Sequence, residues 1–480
     1  ENGRRVAVGS FKHNGNGMDS GLVKVFKFSN SKQKWVRHGN DIKGEKAGDQ
    51  SGISVSLSSS GNVIAIGANK NDGSNGMIST GHTRVYQYIK TNKQWNQLGS
   101  DIDGESSNDS SGFSVSISRN GKMVAIGAMF NQDSGENSGH VRVFEYGSIT
   151  STEWTQVGSD IDGEALGDQS GHSVFLSASG ERVVIGAIEN SGADGFNNIG
   201  HVRVYEYTTS EDGFEWVKLG SDIDGEAPND HSGWSVSMSG DGSRVAIGAC
   251  KNDGKGSNSG HVRVYTYDES SYQWKQMGSD IDGEAKGDQF GYSLSMSEDG
   301  NTIAVGAKFN DTSGKNSGQV KAFEYNSVNT EWDQLGSTIY GNTKGDQSGW
   351  SVSLSGDGRI VAVGSPNHGV KNRKNRGKVR VFELRRFVPS DVPSTLPSDG
   401  PSQSILPSMS PSEVPSAVRS SMPSEGPSNV LSSTPSTDPS RASSGSPSNL
   451  PSSGPSRSPS DVPSRAPSGL PSLLPSDLPS

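Results

Sequence analysis

Polar and apolar residues along this chain alternate with a period of two over short runs, and no stretch sustains the 3.6-residue period of an amphipathic helix. The segment from Gly186 shows the plan: GAIENSGADGFNNIGHVRVYEYTTSEDGFEWVKLGSDIDGEAPNDHSGWSVSMSGDGSRVAIGA. A first run alternates serine with an aliphatic residue (SVSMS), and a tight Gly240-Asp241-Gly242 turn leads to a second, aliphatic run (VAIGA). An Asn/Asp/Gly-rich connection precedes a third run (HVRVYEY), and a short polar turn precedes a fourth led by tryptophan (WVKLGS). Runs of this length, rich in Val, Ile, Tyr and Trp and bounded by Gly, Asn, Asp and Ser, predict four strands per repeat and almost no helix.

The glycine that closes each second run recurs at Gly9, Gly67, Gly127, Gly186, Gly248, Gly306 and Gly364, at intervals of 58, 60, 59, 62, 58 and 58 residues. Seven copies at so regular a period predict an all-β, seven-bladed β-propeller. Serine alternation in the first run suits the crowded axis, and the aromatics of the third and fourth runs suit the wedge-shaped gaps between blades. Trp35, Trp95, Trp154, Trp216, Trp274 and Trp332 recur at one point of the repeat and are expected in the core. The second and third runs occur seven times, the first and fourth six times. Blades two to six are therefore expected to have four strands, and the first and last three each. A preceding segment of about 25–30 residues, the length of one fourth-to-first-run stretch, would supply both absent strands.

These repeats resemble FG-GAP repeats, the units of integrin-α-type propellers. Phe290-Gly291 preserves the Phe-Gly element, which elsewhere reads Ser-Gly (Ser51-Gly52, Ser170-Gly171); Gly306-Ala307 and Gly364-Ser365-Pro366 echo the Gly-Ala-Pro element. The resemblance spans about residues 1–387 and implies the propeller fold, a scaffold for adhesion, ligand display and occasional enzymes. Family members that bind calcium use an extended acidic loop between the first two strands. Here that link is a tight hairpin at Ser60-Gly61, Asn120-Gly121 and Asp299-Gly300, so the family calcium site does not carry over.

Net charge is −10, which argues against nucleic acid as a partner, since phosphate binding needs a basic patch. The local basic run Lys371, Arg373, Lys374, Arg376 and Lys378 reads as a solvated loop. Cys250 is the single cysteine, so no intrachain disulfide can form. No apolar run approaches the roughly 20 residues that span a membrane. The chain opens at Glu1, inside a repeat and without a leader-like segment, and reads as a fragment or processed form.

In a propeller the fourth-to-first and second-to-third connections emerge on one face, and here both are acidic. The former carry Asp101, Asp103, Glu105 and Asp109; Asp160, Asp162, Glu164 and Asp168; Asp222, Asp224, Glu226 and Asp230; and Asp280, Asp282, Glu284 and Asp288. The latter add Asp72, Asp133, Asp194, Asp253 and Asp311. Such a face attracts cations, calcium among them, or a basic partner. The same residues also build turns by bonding side chain to backbone. His82, His140, His201 and His261 each open a third strand, but blades stand at least roughly 10 Å apart. Four histidines so spaced cannot share one ion, and they read as structural or surface residues. No nucleophile elbow, P-loop or zinc-spaced motif breaks the repeat, so no catalytic residue is expected.

From Pro389 the chain holds 20 of its 22 prolines, each followed by serine. That composition cannot bury a core and predicts a disordered, extended stalk or linker over 388–480. It resembles the Pro/Ser stalks of algal surface and cell-wall proteins. The combined reading is a monomeric, non-catalytic adhesion or scaffold module displayed outside the cell, taking a protein or glycan on its acidic face. Two alternatives stay open: a polysaccharide hydrolase or lyase using that face, and an intracellular scaffold.

Overall fold

The structure, a computed structural model, describes residues 2–73, 77–147, 152–192, 197–210, 213–369 and 376–385. Asp194, Lys371, Arg373, Lys374 and the whole Pro/Ser region lie outside the described residues, as does the expected 387/388 boundary. Among the described residues there is no helix, and hence none long and apolar enough to cross a membrane.

Seven antiparallel sheets form seven blades in chain order. Blade 5 shows the plan, running outward from the axis as Ser235–Met238, Arg244–Ala249, His261–Asp268 and Gln273–Gln276. Blades 2 to 6 share these four strands. Blade 1 comprises Arg5–Gly9, Leu22–Ser29 and Lys34–Arg37, and blade 7 Ser351–Leu354, Ile360–Ser365 and Lys378–Glu383. The expected strand census is thus observed, with one addition. After each outermost strand of blades 1 to 6, the chain turns out and re-enters as a two-residue strand on the head of the third strand. In blade 5 this is Ile281–Asp282, paired with Val262 and His261.

The second strand of blades 2 to 6 is covered on both faces by neighbouring blades, which is why Val63–Ala68 is buried throughout, whereas Ile360–Ser365 of blade 7 is buried only alternately. The core therefore lies between blades. Val202, Val204 and Ile223 of blade 4 pack on Val236, Met238, Ile247 and Tyr265 of blade 5. Fully burying each such aliphatic side chain contributes about 1.5–3 kcal/mol.

At the axis, serine and glycine join the blades. Ser54, Ser114, Ser173, Ser235 and Ser293 donate their hydroxyls to the carbonyls of Gly112, Gly171, Gly233, Gly291 and Gly349 in the next blade, at 2.7–2.8 Å. Two residues on, Ser56, Ser116, Ser237 and Ser295 accept from the N–H groups of Ile117, Leu176, Met296 and Leu354, again one blade onward. Blade 4 has Phe175 at that point, packed into the core instead. The periodic glycine has a steric cause: a Cβ at Gly67, Gly127, Gly186, Gly248 or Gly306 would collide with those same glycine carbonyls. The two glycine elements of the repeat thus face each other across every such interface.

The ring closes by a rule repeated at each step. The glycine of each first hairpin sits over the head of the preceding blade's second strand: Gly61 over Arg5, Gly121 over Val63, Gly358 over Thr302. Gly3 sits in the same way over Ile360, bringing blade 1 against blade 7.

Candidate functional site

The broken outermost edge builds the rim of the acidic face. At the breaks of blades 2 to 5 a glycine with φ near +75°, such as Gly99 or Gly158, lets the chain turn against the next blade's tryptophan; a Cβ there would strike the indole. Trp95, Trp154, Trp216, Trp274 and Trp332 each donate Nε1–H to a carbonyl of the preceding blade (His38, Leu98, Val157, Leu219, Met277) at 2.7–2.8 Å. These tryptophans are equivalent as expected, but only Trp95 and Trp332 are fully buried. Trp154, Trp216 and Trp274 are half-buried where the rim opens.

The acidic candidates separate into three roles. Asp103, Asp162, Asp224 and Asp282 lie in the short re-entrant strands, paired with His82, His140, His201 and His261. Asp101, Asp160, Asp222 and Asp280 lie in the breaks, facing those histidines. Glu105, Glu164 and Glu226, with Glu45, reach forward to the next blade's histidine. Glu284 reaches forward in the same way but meets Gln319, which replaces the histidine and donates to it at 3.3 Å, and Lys321, which replaces the arginine. Asp109, Asp168, Asp230 and Asp288 serve as turn-builders: each buried carboxylate accepts from backbone N–H groups three or four residues back and from an asparagine of the second-to-third connection.

The histidines are not surface residues, and each gathers its own carboxylates. All four are at most 3 % exposed. His140 Nδ1 lies 3.7 Å from Asp160 Oδ2 and 3.9 Å from Asp133 Oδ2 and Glu105 Oε2. His261 Nδ1 lies 3.6 Å from Glu226 and 3.9 Å from Asp280, and His82 Nδ1 lies 3.7 Å from Asp101. The expectation that the four cannot meet holds, since each sits in its own group; the expectation of a merely structural role missed the carboxylates that the break folds onto each ring. Burial, helped by the neighbouring arginine, pushes His140, His201 and His261 down to about 4 and lowers His82. Burial also raises Glu105 and Glu226.

An arginine stands two residues beyond each histidine, on the same strand face. Arg142, Arg203 and Arg263 donate to the carbonyls of Asp103, Asp162 and Asp224 one blade back, at 2.6–2.7 Å, and face Glu105, Glu164 and Glu226 at 3.2–3.5 Å. Arg84 grips Glu45 at 2.5 Å and Asp101 at 2.6 Å. These pairs clamp neighbouring blades together.

The sequence reading missed a second feature. The residue before each first run is Ile53, Phe113, His172, Trp234, Tyr292 or Trp350. These stand at the heads of the innermost strands, on the acidic face, all partly exposed. Consecutive rings touch from Phe113 to Trp350, with centroids 5.2, 4.8, 5.4 and 5.3 Å apart. Lys308 Nζ lies 3.2 Å from the Tyr292 ring centre and 4.7 Å from that of Trp350. Burial, with Lys251 nearby, lowers Lys308 to about 8. The available signal was a position aromatic in five repeats between constant glycine and serine. Farther out, an open cleft of about 450 Å³ is lined by Asp280, Asp282, Glu284, Lys321 and Trp332, and a smaller one of about 170 Å³ by Asp222, Asp224, Tyr265 and Trp274.

No curated protein matches the chain. Among solved structures it is similar to the periplasmic gluconolactonase of Pseudomonas aeruginosa, with 14 % identity, a TM-score of 0.51, and coverage of 79 % of this chain and 99 % of that one. It is also similar to candidate 6-phosphogluconolactonases from Bacteroides uniformis (11 % identity, TM-score 0.50, 78 % and 99 % covered) and Bacteroides fragilis (11 %, 0.50, 80 % and 93 %). At such identity the likeness speaks for the fold alone. The FG-GAP repeat profile matches residues 222–265 and 280–323, in blades 5 and 6. Those two segments are similar to FG-GAP repeats, and the seven blades of the propeller share their strand plan.

Proposed function

We propose that this chain is a non-catalytic binding module that takes a glycan at the axial mouth of its acidic face. The observation that carries this reading is the continuous arc from Phe113 to Trp350, five partly exposed rings in mutual contact. Aromatic faces offer large rigid surfaces for the apolar faces of sugar rings, and the carboxylates farther out on the same face supply polar groups that orient a ligand. Repetition supports binding over turnover, because equivalent carboxylates recur in successive blades with no single one set apart as acid or nucleophile. In the same reading the Pro/Ser segment, judged on composition, is the spacer that displays the propeller outside the cell. Surface labelling of intact cells with an antibody to the propeller checks that display.

A panel of neutral, acidic and amino-sugar glycans titrated calorimetrically tests the site. Trp234→Ala and Tyr292→Ala are each expected to weaken binding about tenfold, since a stacked ring contributes about 0.5–1.5 kcal/mol beyond its area. Thermal stability should change little by comparison. The structural neighbours name the competing outcome: the same samples incubated with glycans and with gluconolactone should release no product. Turnover abolished by a change at His172 or Lys308 would replace the binding module with a hydrolase.

A further inference from the structure

We infer that Glu105, Asp133, His140 and Asp160 form a binding site for one first-row divalent cation, zinc or manganese, at the interface of blades 2 and 3. His140 is fully buried, and neither ring nitrogen has a hydrogen-bond partner. Leaving such a group unpaired costs about 1–3 kcal/mol, so a buried imidazole in this state calls for a partner. Its Nδ1 points at three carboxylate oxygens at 3.7–3.9 Å, too far for a hydrogen bond. Those carboxylates come from three separate stretches: Glu105 from the link leaving blade 2, Asp133 from the second-to-third connection of blade 3, and Asp160 from the break in its outer edge. All four donor atoms lie within 4.8 Å of one another. Ligands about 2.0–2.2 Å from a tetrahedral ion stand roughly 3.3–3.6 Å apart, so His140 and its carboxylates need draw in by only a few tenths of an ångström, and the carboxylate oxygens, within 4.8 Å of one another, close around the ion by side-chain rotation.

Charge points the same way. Three carboxylates meet one cationic side chain, Arg142, whose Nη1 is 3.2 Å from Glu105 Oε1. A dication would neutralise the remainder. One imidazole with three carboxylates suits zinc or manganese, whereas calcium takes six to eight oxygens. Neighbouring blades contain internal controls. In blade 2 the corresponding Glu45 and Asp101 are both held by Arg84 at 2.5–2.6 Å, and in blade 4 Asp222 is held by Lys218 at 2.9 Å. A side-chain cation stands in those groups where blade 3 leaves room for an ion. The carboxylates of Glu105, Asp133 and Asp160 remain 38 %, 52 % and 27 % exposed, which gives an ion a path in.

Equilibrium dialysis of the full chain against zinc, manganese and calcium, with thermal melts alongside, tests the assignment. Expected is one zinc or manganese per chain, a melting temperature that rises with ion concentration, and much weaker calcium binding. Asp133→Asn and Asp160→Asn, at an exposed and a partly exposed carboxylate, should each weaken zinc binding at least tenfold, whereas Asp101→Asn in blade 2 should leave it unchanged. The visible spectrum of bound cobalt should show nitrogen and oxygen ligation and be lost in the Asp160→Asn variant. If neither zinc nor manganese binds, or if all three aspartate variants lose binding equally and added salt abolishes it, the site is only a diffuse acidic field and the assignment is wrong.

Discussion

Gly248 sits in a regular strand outside the left-handed region, so its backbone alone would accept alanine. The obstacle is the Gly291 carbonyl of the next blade, already taken by the Ser235 hydroxyl at 2.8 Å. Neither partner can withdraw without opening the interface. Gly248→Ala is therefore expected to destabilise by about 1–3 kcal/mol, the cost of overpacking a rigid contact. Ser235→Ala removes one hydrogen bond and should cost about 0.5–1.5 kcal/mol. Urea unfolding of both variants checks the order; a Gly248→Ala variant as stable as the parent would mean that the blades can separate there. The recurrence of this glycine was plain in the sequence, but its reason was not, because the oxygen that forbids a side chain lies some 40 residues farther along the chain. The tryptophans show the same division: their repetition announced the core, but not that Trp95, with the His38 ring of the preceding blade against it, would be buried more deeply than Trp154, Trp216 or Trp274. Trp95→Ala, at 3 % exposure, should cost about 3–5 kcal/mol, and the half-buried Trp216→Ala clearly less.

At the scale of elements, strand identity was readable because alternation over four to eight residues is a strong signal. The re-entrant pairs such as Ile102–Asp103 were not, since two residues carry no period. That omission hid the site. Without the break, Asp101 and Asp160 read as loop residues, and only the fold back onto the third strand sets them beside His82 and His140. The axial aromatics were hidden for the opposite reason: the repeat is marked by residues that stay constant, and this position varies in residue type while keeping its ring. Between innermost strands the cross-link is directional. Ser237 Oγ accepts from the buried N–H of Met296 at 3.0 Å, so Ser237→Ala would orphan that donor. A cost of about 1–3 kcal/mol is expected. Blade 4, where Phe175 replaces the serine, makes no such bond to Met238, and hydrogen exchange should find the Met238 amide less protected than that of Met296.

For the whole molecule, the histidines that folding desolvates set how stability depends on pH. His38, His140, His172, His201, His231 and His261 are all pushed down to about 4, burial being the largest cause in each. An unfolded histidine binds its proton near pH 6.5. Between pH 6.5 and about 4 the unfolded chain therefore holds protons that the folded ring refuses, and stability falls as pH falls through that window. Burial raises Glu105, Asp109, Asp162, Glu226, Asp230 and Asp288, so the folded state takes up protons there that the unfolded chain still lacks. Those groups oppose the histidines at the acid end, where Asp101, Asp241, Glu284, Asp299 and Asp346, held low by hydrogen bonds despite their partial burial, act with the histidines instead. The melting temperature should accordingly hold steady between pH 7 and 8 and drop steeply between pH 6.5 and 5. Six groups of one sign act together, so the slope should be far steeper than one histidine can produce, and replacing His261 with glutamine should reduce it by only a fraction. Thermal melts at half-unit steps in pH, at constant ionic strength, decide the matter. A melting temperature that stayed level from pH 7 to 5 would show that these rings take up protons within the folded ring as readily as outside it, with the surrounding carboxylates outweighing burial.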